Sequence, residues 1–153
     1  MTTSQFRDIN LVEIRFNSSL GILDLMQPIT NKICDQLGFD EDTRYWIWLA
    51  TQEALNNAIK HGNKMDERKM VDFSIRVEGD EFRIMIKDEG EGFDVSSMPD
   101  PTKPENLLKT SGRGIFYMRS FMDHVEYNSE NGTQVTMIKR HNQAGSDENL
   151  PKK

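Results

Sequence analysis

Two short hairpins limit what this chain can fold into. Met70 to Val77 and Phe82 to Ile86 read as two strands around the turn Glu78-Gly79-Asp80-Glu81. Val125 to Tyr127 and Gln134 to Lys139 read as a second pair, joined through Asn131-Gly132. Upstream, Ile9 to Phe16 alternates loosely, with Ile9, Leu11, Ile14 and Phe16 apolar and Glu13 and Arg15 charged, which suits another strand. Two helices lie between these strands. Ser18 or Ser19 suits the cap of the first, and Leu20, Leu23, Met26, Ile29, Ile33 and Leu37 then recur at helical spacing. Pro28 within that run predicts a kink or a late start, and Gly38 a stop. Asp40 or Asp42 caps the second helix, which runs to about Lys60 or His61 and is ended by Gly62 and Asn63. Ile115 to Met122 reads as a third, short helix opened by Ser111-Gly112-Arg113-Gly114. Hairpins with helices inserted between them predict an α+β two-layer sandwich: a mostly antiparallel, mixed sheet covered on one face by helices.

Composition narrows the class. The chain has 153 residues, 36% of them hydrophobic. That is about one domain, able to bury roughly 70% of its unfolded surface without a disulfide or structural metal. Its single cysteine, Cys34, excludes an intramolecular disulfide framework. Lys and Arg total 19 against 25 Asp and Glu, a net charge of -6, so direct nucleic-acid binding is not expected. No apolar run approaches the ~18 to 20 residues of a membrane span, and Met1 to Asp8 lacks the apolar stretch of a signal peptide. A cytoplasmic setting without membrane attachment is the expectation. Residues 1–8 are expected to fray, 9–140 to form the domain, and 141–153 to be a polar, disordered tail.

Three motifs carry candidate chemistry. The second helix holds Glu53-Ala54-Leu55-Asn56-Asn57-Ala58-Ile59-Lys60-His61-Gly62. At about 100° per residue, Glu53 and Asn57 share one line and Lys60 falls close to it. A solvated polar stripe would read the same way. Asp88-Glu89-Gly90-Glu91-Gly92 follows directly on an apolar strand. Its glycines permit close backbone approach, and a carboxylate there can accept from the exocyclic amine of a base, although acidic turns are common. Ser111-Gly112-Arg113-Gly114 opens a helix, where free N–H groups make an anion site; a plain capping turn explains it equally well. It is neither the Walker pattern nor a dinucleotide fingerprint. Residues 94 to 110 hold Pro99, Pro101 and Pro104 without periodicity, and a segment that long is functional or disordered.

In order and spacing these motifs resemble the ATP-binding superfamily of gyrase, heat-shock chaperones, histidine kinases and mismatch-repair proteins, the GHKL or Bergerat fold. They are most like its small stand-alone branch, the bacterial anti-sigma factors that are also serine-protein kinases. Glu53…Asn57-Ala58…His61-Gly62 matches the Asn-containing box, and Asp88-x-Gly90-x-Gly92 the first glycine box. Ser111-Gly112-x-Gly114 with Met118, Phe121, Met122 and Asp123 matches the second box, and Gly132-Thr133 the terminal Gly-Thr. The resemblance implies ATP and Mg²⁺ as cofactors. Asn57 would ligate Mg²⁺, Asp88 would accept from the adenine amine, and Thr133 would support the adenine end through its hydroxyl or a bridging water. Gly90 and Gly92 would let the loop close on the nucleotide. Ser111, Gly112 and Gly114 would belong to the phosphate-holding turn, and Phe93 to Thr110 would form a lid. Glu53 would be the general base for an incoming serine or threonine hydroxyl.

The branch often carries a basic residue just before Ser-Gly, where this chain has Thr110. Lys109, one place earlier, and Arg113, between the glycines, are then the candidates to meet the γ-phosphate or the partner. The implied partners are a STAS-type anti-sigma-factor antagonist, as phosphoacceptor, and a sigma factor; a homodimer is implied by the resemblance alone. The alternative reading is a nucleotide-gated binding module that sequesters a partner without phosphotransfer. A histidine-kinase catalytic domain is a third, but His61, His124 and His141 all lie inside or after the ATP fold. Of the remaining residues, His61 suits a helix end, Met118 and Met122 suit core gap-filling, and Cys34 suits burial. Trp46 and Trp48 point to different helix faces, one toward the core and one outward.

Overall fold

The computed structural model describes residues 8–91 and 118–141. Five strands form one sheet in the order β1-β2-β3-β5-β4: β1 (Leu11–Asn17), β2 (Met70–Glu78), β3 (Glu81–Lys87), β4 (His124–Asn128) and β5 (Gln134–Arg140). Every pairing is antiparallel, so the expected admixture of parallel strands is not found among the described residues. The β2–β3 turn is two residues long, with Gly79 at φ +57° in its first central position, as a tight hairpin favours.

The strand registers place one apolar row beside another. Ile14, Phe73, Ile86, Val135 and Tyr127 lie side by side across the sheet, as do Val12, Ile75, Ile84, Met137 and Val125. Side chains alternate along a strand, so both rows face the same way. Helix α1 (Ile22–Gln36) contributes Met26, Ile33 and Cys34 to the core they form, and α2 (Glu41–Asn56) contributes Ile47, Trp48 and Leu55. On the opposite face Arg15, Asp72, Lys87, Gln134 and Asn128 make a polar row. The two-layer α+β arrangement follows. No helix among the described residues is long and apolar enough to cross a membrane.

The helix ends depart from expectation in three places. The first helix does not start late: it begins after Gly21 and runs through Pro28. Pro28 is exposed, so water can serve the carbonyl its missing N–H leaves free, while Met26 and Ile33 are buried on either side of it. Neither Ser18 nor Ser19 is the cap residue, since Gly21 holds that position without a side-chain bond. Ser18 is instead buried, and its hydroxyl donates to the Lys69 carbonyl at 2.7 Å. At the second helix Asp40 does cap, accepting from Thr43 N–H at 2.7 Å. That helix does not run on as α to Lys60. At Asn57 it widens into a π-helical turn, Asn57–Gly62, closed by Asn63 N–H donating to the Ala58 carbonyl at 2.8 Å.

Other expectations hold. Gly38, at φ +79°, ends α1. Trp48 is buried, whereas Trp46 is exposed and stacks on Phe121 with ring centroids 4.2 Å apart. Met118, Met122 and Cys34 are buried, and burial pushes the Cys34 thiol up to about 12. Residues 118–121 are helical; the earlier part of the expected third helix lies outside the described residues.

Candidate functional site

A pocket open to solvent lies between the second helix and the sheet. Three expected site residues reach it from three elements: Asn57 from the π-turn, Asp88 from just beyond β3, and Thr133 from just before β5. Ile86 and Val135, cross-strand partners, line it with them. Ala54 and Ala58 keep the helix side low, and Tyr127 stands next to Val135 on β4.

Asp88 is the electrostatic centre. Only 3% of it is exposed. Its Oδ1 accepts from Gly90 N–H at 2.9 Å and Thr133 N–H at 3.0 Å. Its own N–H donates to the Thr133 carbonyl at 3.0 Å, which extends the β3–β5 ladder past the strand ends. Burial raises the Asp88 pKa above its ordinary value; the Gly90 and Thr133 N–H groups, and the charge of Lys69, pull the other way. Among the described residues no hydrogen bond reaches Oδ2. The Thr133 hydroxyl is likewise buried without a partner. A buried hydroxyl without a partner is uncommon in a folded protein, and here it stands next to a carboxylate with one oxygen free.

Glycines close around that carboxylate. A Cβ on Gly62 would fall on the Asp88 side chain, and one on Gly90 would fall on the Gly62 backbone. Gly132 sits at φ +78° with the Asp88 carbonyl against it. Larger residues would push Asp88 out of place.

The other candidates are placed as follows. Glu53 is half-buried on α2, one turn before Asn57, and is not part of the pocket wall. Lys60 and His61 are exposed; the wider π-turn carries Lys60 off the line that a uniform α-helix would give it. Gly92, Lys109, Ser111, Gly112, Arg113 and Gly114 lie outside the described residues, as does the expected lid from Phe93 to Thr110.

Ile86, Val135, Tyr127, Ala54 and Ala58 were not singled out by their chemistry. A signal existed for two of them: Ile86 stands two before Asp88 and Val135 two after Thr133, so each shares a face with a recognised residue. Burial raises the Tyr127 phenol above its usual range, keeping it neutral, and its hydroxyl donates to the Met118 sulfur at 3.7 Å.

The arrangement suits a flat heterocycle. Its walls are apolar, and at one end a carboxylate oxygen and a hydroxyl are free to meet polar ring edges. Asn57 adds an amide nearby.

Comparison with known proteins agrees. Residues 16–139 match the family model of the histidine kinase-like ATPase domain. The serine-protein kinase RsbW of Staphylococcus epidermidis is 29% identical over 135 residues, covering 84% of this chain and 85% of that protein. The enzyme of the same name from Bacillus licheniformis is 25% identical over 139 residues, covering 87% of each. Among solved structures, the RsbU and RsbW domains of a Mycobacterium tuberculosis protein superpose with a TM-score of 0.64 at 15% identity. That match covers 87% of this chain and 32% of the longer one. The catalytic domain of histidine kinase ThkA gives a TM-score of 0.53 at 14% identity, covering 87% and 97%. At such identities the two structures speak for the fold alone.

Proposed function

The chain belongs to the histidine kinase-like ATPase domain family, and from that premise we propose that it is a Mg-ATP-dependent serine/threonine protein kinase. Its substrate is a small STAS-type antagonist protein in a cytoplasmic partner-switching circuit, and it also restrains a sigma factor. Residues 9–140 make up the ATP-binding domain in this reading. Support for the activity comes from relatives named serine-protein kinase that align over most of this chain.

One observation carries the nucleotide site: Asp88 is buried with Oδ1 tied to two N–H groups, beside the unpartnered Thr133 hydroxyl. Oδ2 is left to accept from the exocyclic amine of adenine. A guanine carbonyl in the same place would face a carboxylate and be rejected. Thr133 supports the ring edge directly or through a water. The aliphatic walls of Ala54, Ala58, Ile86 and Val135 hold the ring.

Asn57 fits a magnesium ligand by its chemistry. Its amide carbonyl is a hard oxygen donor, and Mg²⁺ takes few protein ligands, keeping its waters and phosphate oxygens. Bound Mg-ATP supplies the transferable phosphoryl group and neutralises its developing charge. Glu53 takes the proton of the incoming hydroxyl as its oxygen attacks the γ-phosphorus and the bond to the β–γ bridging oxygen breaks. Its place one turn from Asn57, off the pocket wall, supports that role. In this reading Gly90 and Gly92 let the loop close on the nucleotide, Ser111, Gly112 and Gly114 belong to the phosphate-holding turn, and Lys109 or Arg113 meets the γ-phosphate or the partner.

A second reading, a nucleotide-gated module that binds a partner without transferring phosphate, is favoured by Thr110 standing where a basic residue often precedes Ser-Gly. Transfer of γ-label from ATP to the antagonist separates the two. Wild type should label it, and Glu53→Ala should abolish labelling while leaving ATP affinity within about threefold. Labelling by Glu53→Ala at the wild-type rate would remove the base assignment. No labelling by wild type that binds ATP would leave the binding module.

A further inference from the structure

The residue after the π-turn is Asn63, which has no exposed surface and does not line the pocket. Its side chain nevertheless makes three hydrogen bonds to three separate parts of the fold. Nδ2 donates to the Ser18 hydroxyl at 2.8 Å and to the Met70 carbonyl at 3.0 Å. Oδ1 accepts from the backbone N–H of Glu89 at 2.8 Å. The last bond grips the chain at the peptide that follows Asp88.

The surroundings make that grip stiff. The Ser18 hydroxyl donates onward to the Lys69 carbonyl at 2.7 Å. Glu89 is held again by its side chain, where Oε1 accepts from Arg15 at 3.0 Å and from Met70 N–H at 3.1 Å. Lys64 and Met65 follow at φ +53° and +61°. Two consecutive non-glycine residues in the left-handed region are strained, and they turn the chain away just where Asn63 enters the interior. One planar amide supplies the acceptor and both donors this position uses; aspartate lacks the donors and leucine lacks both kinds.

We infer that Asn63 is a positioning residue for base selection: by holding the Glu89 N–H it fixes the Asp88 backbone, and so the direction in which Oδ2 meets the purine. This rests on the reading of Asp88 as the purine-amine acceptor. Asn63 touches no nucleotide. It acts through the peptide between Asp88 and Glu89, while Gly90 and Thr133 hold Oδ1 from the other side.

The test compares Mg-ATP and Mg-GTP affinities of the full chain as wild type, Asn63→Ala and Ser18→Ala. Loss of a buried bond that orients Asp88 should narrow the ATP-over-GTP preference about tenfold in Asn63→Ala. Ser18→Ala removes a bond from the same cluster without touching Glu89, so it should lower the unfolding midpoint and leave the preference within about twofold. If Asn63→Ala does not fold, Asn63→Ser reads the same quantity with a smaller cavity, because its hydroxyl is one bond shorter than the amide and falls short of the Glu89 N–H. An unchanged preference in the folded Asn63 variant overturns the inference and leaves the Asp88 reading standing. Equal narrowing in Ser18→Ala also overturns it, since the effect would then be loss of structure alone. A wild type without preference for ATP overturns the Asp88 reading and the inference together.

Discussion

In the proposed adenine site, Asp88 sets recognition against stability. A carboxyl whose folded pKa lies above its unfolded value favours the native state fully below the unfolded pKa, and that contribution is lost as pH rises through the folded pKa. Desolvation of the ionised form of Asp88 therefore works against the nucleotide-free fold. Asp88→Asn keeps an oxygen for the Gly90 and Thr133 N–H groups and removes the charge. It should raise the unfolding midpoint of the nucleotide-free protein in calorimetry and abolish its stabilisation by Mg-ATP. The same raised pKa gives a pH dependence. ATP affinity in wild type should fall on acidification while an ordinary aspartate, near 3.8, is still ionised, because the protonated oxygen no longer accepts freely. Gly62 shows how tightly this group is held. Gly62→Ala sets a methyl against the Asp88 carboxylate and should lower stability by about 1–3 kcal/mol in urea titration, with weaker ATP binding.

At the scale of elements, the π-turn separates what could be read in the sequence from what could not. Strands and helix faces were legible because burial imposes a period: Met26 and Ile33 are buried where the helical spacing puts them. Thr30 and Cys34 share that face, but neither is a large apolar residue, so periodicity passes over them. Asn57, Asp88 and Thr133, the polar residues that the resemblance pointed to, line one pocket at the ends of three elements. Ile86 and Val135 were marked only by their two-residue spacing from Asp88 and Thr133, since a pocket wall uses the residues a core uses. Asn63 was read only as a helix end, because its partners Ser18, Met70 and Glu89 lie 45, 7 and 26 positions away. The π-turn itself leaves no mark in a pattern read at 3.6 residues per turn. Wide turns of this kind occur often at functional sites. Deleting the exposed Lys60 would let the segment close as an α-helix and draw Gly62 and Asn63 about 100° round the axis. That variant should keep its helical circular dichroism and lose stabilisation by Mg-ATP.

At the scale of the whole molecule, the pocket takes its walls from α2, β3, β4 and β5, so a ligand there is linked to global folding. Mg-ATP at about 100 times its dissociation constant should add about 2.7 kcal/mol. For a domain of this size that is a rise of roughly 5 to 11 °C in the unfolding midpoint. No rise would remove the nucleotide site. The strand order has a consequence for synthesis. β1 finds its neighbour only after both helices have been made, and β3 pairs with β5, passing over β4. Thr133 and Val135 precede or begin that last strand, yet they complete a pocket begun at Ala54. A nascent chain still missing β5 has the helix and its Asn57 but no floor for the base and no Thr133 N–H to orient Asp88. In the proposed reading, ATP would therefore bind only chains in which β5 has joined the sheet.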